Sequence, residues 1–222
     1  MTPVSAILNE FTASLCDNKR FSGEVDESEA IVGRIPGWSN AIHYLFFRAL
    51  LTSAIRPPRI LICGVYHGLD LALIELAGTR TAKYAQKSYE TLVGIDLFSD
   101  QPCADWTDKQ RERKTWKAAH GVTPPSIESA RKNAPGAEVF ASDSAAFIEK
   151  NGALFDFLFL DTSHDLITVR REIRAMRSSG FRGVIAGDDY YHLPGWGVRS
   201  AVEELIPDHV VLFNRIWLAQ IP

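Results

Sequence analysis

Phe155-Asp156-Phe157-Leu158-Phe159-Leu160-Asp161 and Gly183-Val184-Ile185-Ala186-Gly187-Asp188-Asp189 are two short apolar runs that stop on carboxylates. Runs this short, rich in aromatic or β-branched residues, suit strands covered on both faces, as in a parallel sheet. Acids at the carboxyl ends of such strands lie where open α/β sheets bind ligands. If the two strands are neighbours, Asp161, Asp188 and Asp189 converge on one small volume, a candidate active site.

Working outward, the chain alternates from Arg59 onward. Strands are predicted at 59 to 64, 91 to 96, 137 to 141, 155 to 161 and 182 to 187. Helices are predicted at 68 to 78, 124 to 133, 144 to 150, 165 to 178 and 197 to 206. Such β-α alternation implies an α/β fold, a mostly parallel sheet with helices on both faces. Two closing runs, 209 to 213 and 215 to 220, are separated only by Asn214-Arg215, too short for a crossover, so they form a C-terminal antiparallel hairpin and complete seven strands.

Residues 1 to 55 read as an N-terminal helical cap, with helical periodicity at Val4, Ile7, Leu8, Phe11 and again at Ile42, Leu45, Phe46, Leu50. Residues 20 to 40 between them are polar and end in Ile35-Pro36-Gly37-Trp38, a turn with an aromatic anchor. The remaining 56 to 222 form one α/β domain. Its rhythm is broken at 98 to 123, a polar insertion punctuated by Trp106 and Trp116, which reads equally as a substrate wall or as a surface excursion.

Composition narrows the partners. The chain of 222 residues is 46% hydrophobic, enough for one sizeable core, and its formal net charge of −3 gives no footprint for nucleic acid. Three cysteines, Cys16, Cys63 and Cys103, match neither a disulfide framework nor a zinc cluster. No apolar run approaches the roughly 20 residues of a membrane span. The expectation is a soluble, cytoplasmic protein acting on a small molecule, with the N-terminal helices available for a homodimer.

The first strand leads into Gly64-Val65-Tyr66-His67-Gly68, two glycines that let the backbone turn sharply beside a ligand. The spacing departs from the dinucleotide fingerprint G-x-G-x-x-G, which speaks against an oxidoreductase. Asp96 closes the second strand, where a carboxylate can hold two ribose hydroxyls or simply form a turn. Asp143-Ser144 follows the third strand, where Asp143 meets an adenine edge or caps the next helix.

That order of motifs over seven strands with a terminal hairpin resembles the Rossmann-like class I S-adenosylmethionine-dependent methyltransferases. Phe159 to His164, Gly183 to His192, Pro194-Gly195 and Gly197 to Val202 are similar to the methyltransferase-24 group and related cation-dependent O-methyltransferases. The resemblance implies that Gly64 and Gly68, with Tyr66 and His67 between them, border the methionine moiety. It further implies that Asp96 holds the ribose, that Asp143 and Ser144 hold the adenine, and that Asp161 lines the cofactor. Two positions depart from the pattern: the acid usual two residues before the first glycine is Ile62, and the small polar residue two after the second is Asp70. His67 either touches the cofactor or caps the following helix.

Three ionised carboxylates in contact repel one another, and a divalent cation such as Mg2+ relieves the conflict. In the cation-dependent relatives the metal ligands match Asp161, Asp188 and Asp189. His164 falls where related enzymes carry the proton-removing base, and it also lies in Thr162-Ser163-His164-Asp165, a helix-capping pattern. Tyr190, Tyr191 and Trp196 either wall an acceptor or pack beneath the insertion. The expected function is methyl transfer to a hydroxyl oxygen. The alternatives are a metal-independent methyltransferase and a non-catalytic adenosyl-ligand-binding protein, the latter suggested by Ile62.

Overall fold

The computed structural model of the protein describes residues 2 to 81, 88 to 98, 124 to 191 and 196 to 222. The strands are β1 (Arg59–Cys63), β2 (Thr91–Asp96), β3 (Glu138–Ala141), β4 (Phe157–Leu160), β5 (Gly183–Gly187), β6 (Val210–Leu212) and β7 (Ile216–Ile221). They form one sheet in the order β3-β2-β1-β4-β5-β7-β6. β7 alone is antiparallel to its neighbours β5 and β6, and the pairs from β3 through to β5 are parallel. The two acid-ended runs are therefore adjacent, with Leu160 opposite Gly187.

Helices α1 (Pro3–Cys16), α2 (Asn18–Val32) and α3 (Ala41–Ser53) precede the sheet. Between and after the strands lie α4 (Leu69–Thr81), α5 (Ile127–Asn133), α6 (Ser144–Asn151), α7 (Leu166–Ser178) and α8 (Val198–Leu205). Strand side chains alternate between two cores, as the period of two requires. Ile60, Ile62, Phe157 and Phe159 join Phe46 and Phe47 of α3 and Leu71 of α4 on one face. Leu61, Leu158 and Ile185 join Ile173 of α7, Val202 of α8 and Trp217 on the other.

Three expectations shift. The polar stretch from residue 20 contains α2, whose buried contacts are a narrow stripe of Phe21 and Ser28 with Val25 and Val32 partly covered. A stripe that sparse leaves little periodic signal. The anchor of the turn after it is Ile35, which is buried, whereas Trp38 is 58% exposed. The hairpin turns one residue early: Phe213 and Asn214 are both left-handed, and the Arg215 N–H donates back to the Leu212 carbonyl at 2.9 Å. Residues 99 to 123 of the insertion at 98 to 123, and the residues His192, Pro194 and Gly195, lie outside the described residues. Among the described residues, no helix is long and apolar enough to cross a membrane.

Candidate active site at the switch point of the sheet

Strand order reverses between β1 and β4, and the loops leaving those strands touch there. Gly64 has φ +93°, and a β-carbon on it would lie 1.8 Å from the Asp161 carbonyl oxygen. Only glycine permits that crossing. The loop then runs through Tyr66, itself at φ +53°, whose N–H donates to Asp96 Oδ2 at 2.8 Å. Asp96 Oδ1 accepts the Phe98 N–H at 3.0 Å. These two bonds orient the carboxylate and leave each oxygen a lone pair for a ligand hydroxyl.

Asp143 is the N-cap of α6: its Oδ1 accepts the Ala146 N–H at 2.9 Å and its Oδ2 pairs with Arg171. The Ser144 hydroxyl donates to Glu172 Oε1. Both side chains thus have protein partners. His67 is buried, edge-on to Tyr66 at 4.4 Å, and neither ring nitrogen has a hydrogen-bond partner among the described residues, so it does not cap α4. Ile62 is fully buried in the core. Asp70, in the first turn of α4, is bonded to Ser39, and burial above all raises its carboxyl.

The three strand-end acids meet different partners. Asp188 is nearly buried and gripped by Arg215, with Nε 2.9 Å from Oδ1 and Nη2 2.8 Å from Oδ2. His43 of α3 adds a bond to Oδ2 at 3.1 Å. The Asn40 N–H donates to His43 Nδ1 at 3.1 Å, so Nδ1 carries the lone pair and Nε2 the proton given to Asp188. Burial alone would raise the Asp188 carboxyl, but the His43 bond and the Arg215 fork together hold it well below the usual range.

Asp189, at φ +60°, pairs its Oδ2 with His164 Nδ1 at 2.8 Å. The imidazole lies flat on Trp196, ring centres 4.3 Å apart and planes 11° from parallel. His164 precedes the real cap of α7, Asp165, whose Oδ1 accepts the Ile167 and Thr168 N–H groups. Thr162, expected as the cap, instead donates to Glu172 Oε1 at 2.8 Å. The Asp161 carboxyl is pushed well above its ordinary range by burial and then by the charges of Asp188, Asp70 and Asp189.

The charge conflict that called for a cation is therefore smaller than three free carboxylates imply. Arg215 supplies a built-in positive charge, and both Asp188 oxygens are committed to it and to His43. The donor atoms that approach one another are those of Asp161, His164 and Asp189, all within 4.8 Å. One imidazole nitrogen and two carboxylate oxygens are donors that a divalent cation accepts, and Asp188, an expected ligand with Asp161 and Asp189, is not one of these three.

No protein-family model matches the sequence, and no curated protein matches it. Solved structures do. The O-methyltransferase NovP superposes with a TM-score of 0.52 over 91% of this chain and 79% of that one, at 16% identity. The methyltransferase MycE from the mycinamycin pathway, solved with Mg, SAH and mycinamycin VI, superposes with a TM-score of 0.52 over 89% of this chain and 54% of that one, at 14% identity. The chain has the class I methyltransferase fold. Ligands of open α/β sheets bind where the strand order reverses, and in this chain the Gly64 crossing and the oriented Asp96 lie at that point, between β1 and its neighbours.

Sequence reading missed Arg215, His43 and Glu172. Glu172 carried a signal, because Val169, Ile173 and Met176 define a buried stripe on α7 that includes position 172. His43 likewise falls beside Ile42, Leu45 and Phe46 in an apolar helix. Arg215 became visible only with the turn register.

Proposed function

We propose that the protein transfers a methyl group from S-adenosylmethionine to a hydroxyl oxygen of a small molecule. The observation that carries this reading is the His164–Asp189 pair, at 2.8 Å, set beside Asp161 past the carboxyl ends of β4 and β5. Asp189 holds Nδ1, leaving Nε2 to take the acceptor's proton, and the carboxylate stabilises the imidazolium that results. Stacking on Trp196 fixes the ring plane. The cofactor supplies the electrophilic methyl: the oxygen–carbon bond forms as the carbon–sulfur bond breaks, the proton passes to His164, and S-adenosylhomocysteine leaves. Gly64, Tyr66, His67 and Gly68 would border the methionine end, Asp96 the ribose, and the Asp143-Ser144 backbone the adenine.

A divalent cation such as Mg2+, if held by Asp161, Asp189 and His164, would lower the hydroxyl pKa itself and would take the place of His164 as the means of deprotonation. The Arg215–Asp188 pair favours a second reading, in which transfer needs no metal. Calorimetry with S-adenosylhomocysteine tests the cofactor, and isotopic S-adenosylmethionine offered with a panel of phenols, catechols and sugar alcohols tests transfer. His164→Ala should keep cofactor affinity and lose about 100-fold or more in rate at neutral pH. An unchanged rate would remove the proposed base. Chelation that abolishes turnover, with rescue by Mg2+, selects the cation reading; indifference to chelation selects the other.

A further inference from the structure

Glu172 is fully buried on the apolar face of α7, among Val169, Ile173 and Met176. Burying a carboxyl is unfavourable unless it is hydrogen-bonded, so its bonds are informative. A single oxygen, Oε1, accepts two hydroxyls: Thr162 Oγ1 at 2.8 Å, and Ser144 Oγ. Ser144 opens α6 directly after the β3 loop, on the side assigned above to adenine. Thr162 lies between Asp161 and His164 in the turn assigned to proton removal. The preceding residue, Arg171, pairs with Asp143, so consecutive positions of α7 hold consecutive positions at the start of α6.

We propose that Glu172 is a positioning residue that couples the two halves of the site, tying the adenine wall to the Asp161–His164 turn through one shared acceptor oxygen. The coupling rests on the methyltransferase reading. Each hydroxyl is held in one rotamer by the same atom, so removing that atom releases both walls together. The other oxygen, Oε2, has no hydrogen-bond partner and Glu172 makes no ion pair among the described residues, so it works as an acceptor and not as a charge. An amide oxygen supplies the same acceptor. Glutamine should therefore replace Glu172, and leucine, similar in size but without an acceptor, should not.

The test measures S-adenosylhomocysteine affinity by calorimetry and local amide hydrogen exchange at residues 142 to 147 and 161 to 166. It compares the wild type with Glu172→Gln, Glu172→Leu, Ser144→Ala, Thr162→Val and the Ser144→Ala/Glu172→Leu and Ser144→Ala/Thr162→Val pairs. Glu172→Gln is expected within about threefold of wild-type affinity, with both segments protected. Glu172→Leu is expected to bind at least tenfold more weakly, with exchange accelerated in both segments at once, and Ser144→Ala should add less than twofold on top of it. A folded Glu172→Leu with wild-type affinity, or full additivity with Ser144→Ala, overturns the proposal. Should Glu172→Leu not fold, Ser144→Ala/Thr162→Val removes both donors and leaves the acid in place; wild-type affinity in that pair overturns the proposal as well. A wild-type protein that does not bind S-adenosylhomocysteine removes the methyltransferase reading itself, whereas one that binds it while Glu172→Leu is indifferent removes only the coupling.

Discussion

A β-carbon at Gly64 would lie 1.8 Å from the carbonyl oxygen of Asp161, at a φ of +93° that side chains rarely adopt. Gly64→Ala should therefore lose more than about 3 kcal/mol in urea denaturation, because backbone strain and a backbone clash act together. Glu172 offers a prediction with the opposite sign. Burial raises its carboxyl from 4.5 to about 7, so the folded protein favours the protonated form. Its contribution is full below about 4.5 and is lost as pH rises through 7. Glu172→Gln escapes that loss: it should match the wild type at pH 4 and exceed it by about 2 to 3 kcal/mol at pH 8, read as a rise in Tm. At this scale the strand-end acids were legible because a carboxylate that ends an apolar run has one place to be. Their partners were not: His43 is 145 positions from Asp188 and Arg215 is 27 away.

Among the elements, the β6–β7 hairpin shows how one residue of register changes chemistry. Centring the turn on Asn214-Arg215 makes Arg215 a solvent-facing turn residue. The turn formed by Phe213 and Asn214 instead makes Arg215 the residue leading into β7, beside the end of β5, where it reaches Asp188. In a ladder of period two, such a slip exchanges faces. The hairpin is thus part of the site, holding in place the guanidinium that neutralises a strand-end acid. Arg215→Met should cost about 3 kcal/mol at pH 7, since it leaves Asp188 buried and ionised with His43 as its remaining partner. Asp188→Asn added to Arg215→Met should recover most of that loss. In the wild type the depressed Asp188 carboxyl contributes stability above its ordinary value of 3.8 and loses it as pH falls below. The difference between wild type and Arg215→Met should therefore shrink toward acid pH in the same denaturation series.

Over the whole molecule, the N-terminal helices and the sheet share one core. Residues 43 to 51 of α3 are all buried, and Phe46 and Phe47 meet Phe157 and Phe159 of β4 with ring centres 5.2 to 6.1 Å apart. α3 also carries His43 to Asp188, so one helix contributes to both the hydrophobic core and the site. The sequence showed helical periodicity there, but a stripe that reads as a cap and a helix buried along its length begin with the same apolar residues; only the partners on the sheet separate them. An appended cap would open on its own, because a few exposed contacts cost little to break. A helix wedged between α1, α4 and the sheet cannot leave without exposing the aromatic core. Native-state hydrogen exchange should accordingly give amides of α3 and of β4 the same opening free energy, within about 1 kcal/mol, equal to the global stability from denaturation. Amides of α1, which packs on α3 and begins near the N-terminus, should exchange at or below that value. If α3 opened several kcal/mol more easily than β4, His43 would leave Asp188 in the open state, and the bond it donates there would belong to a movable lid and not to the fixed frame of the site.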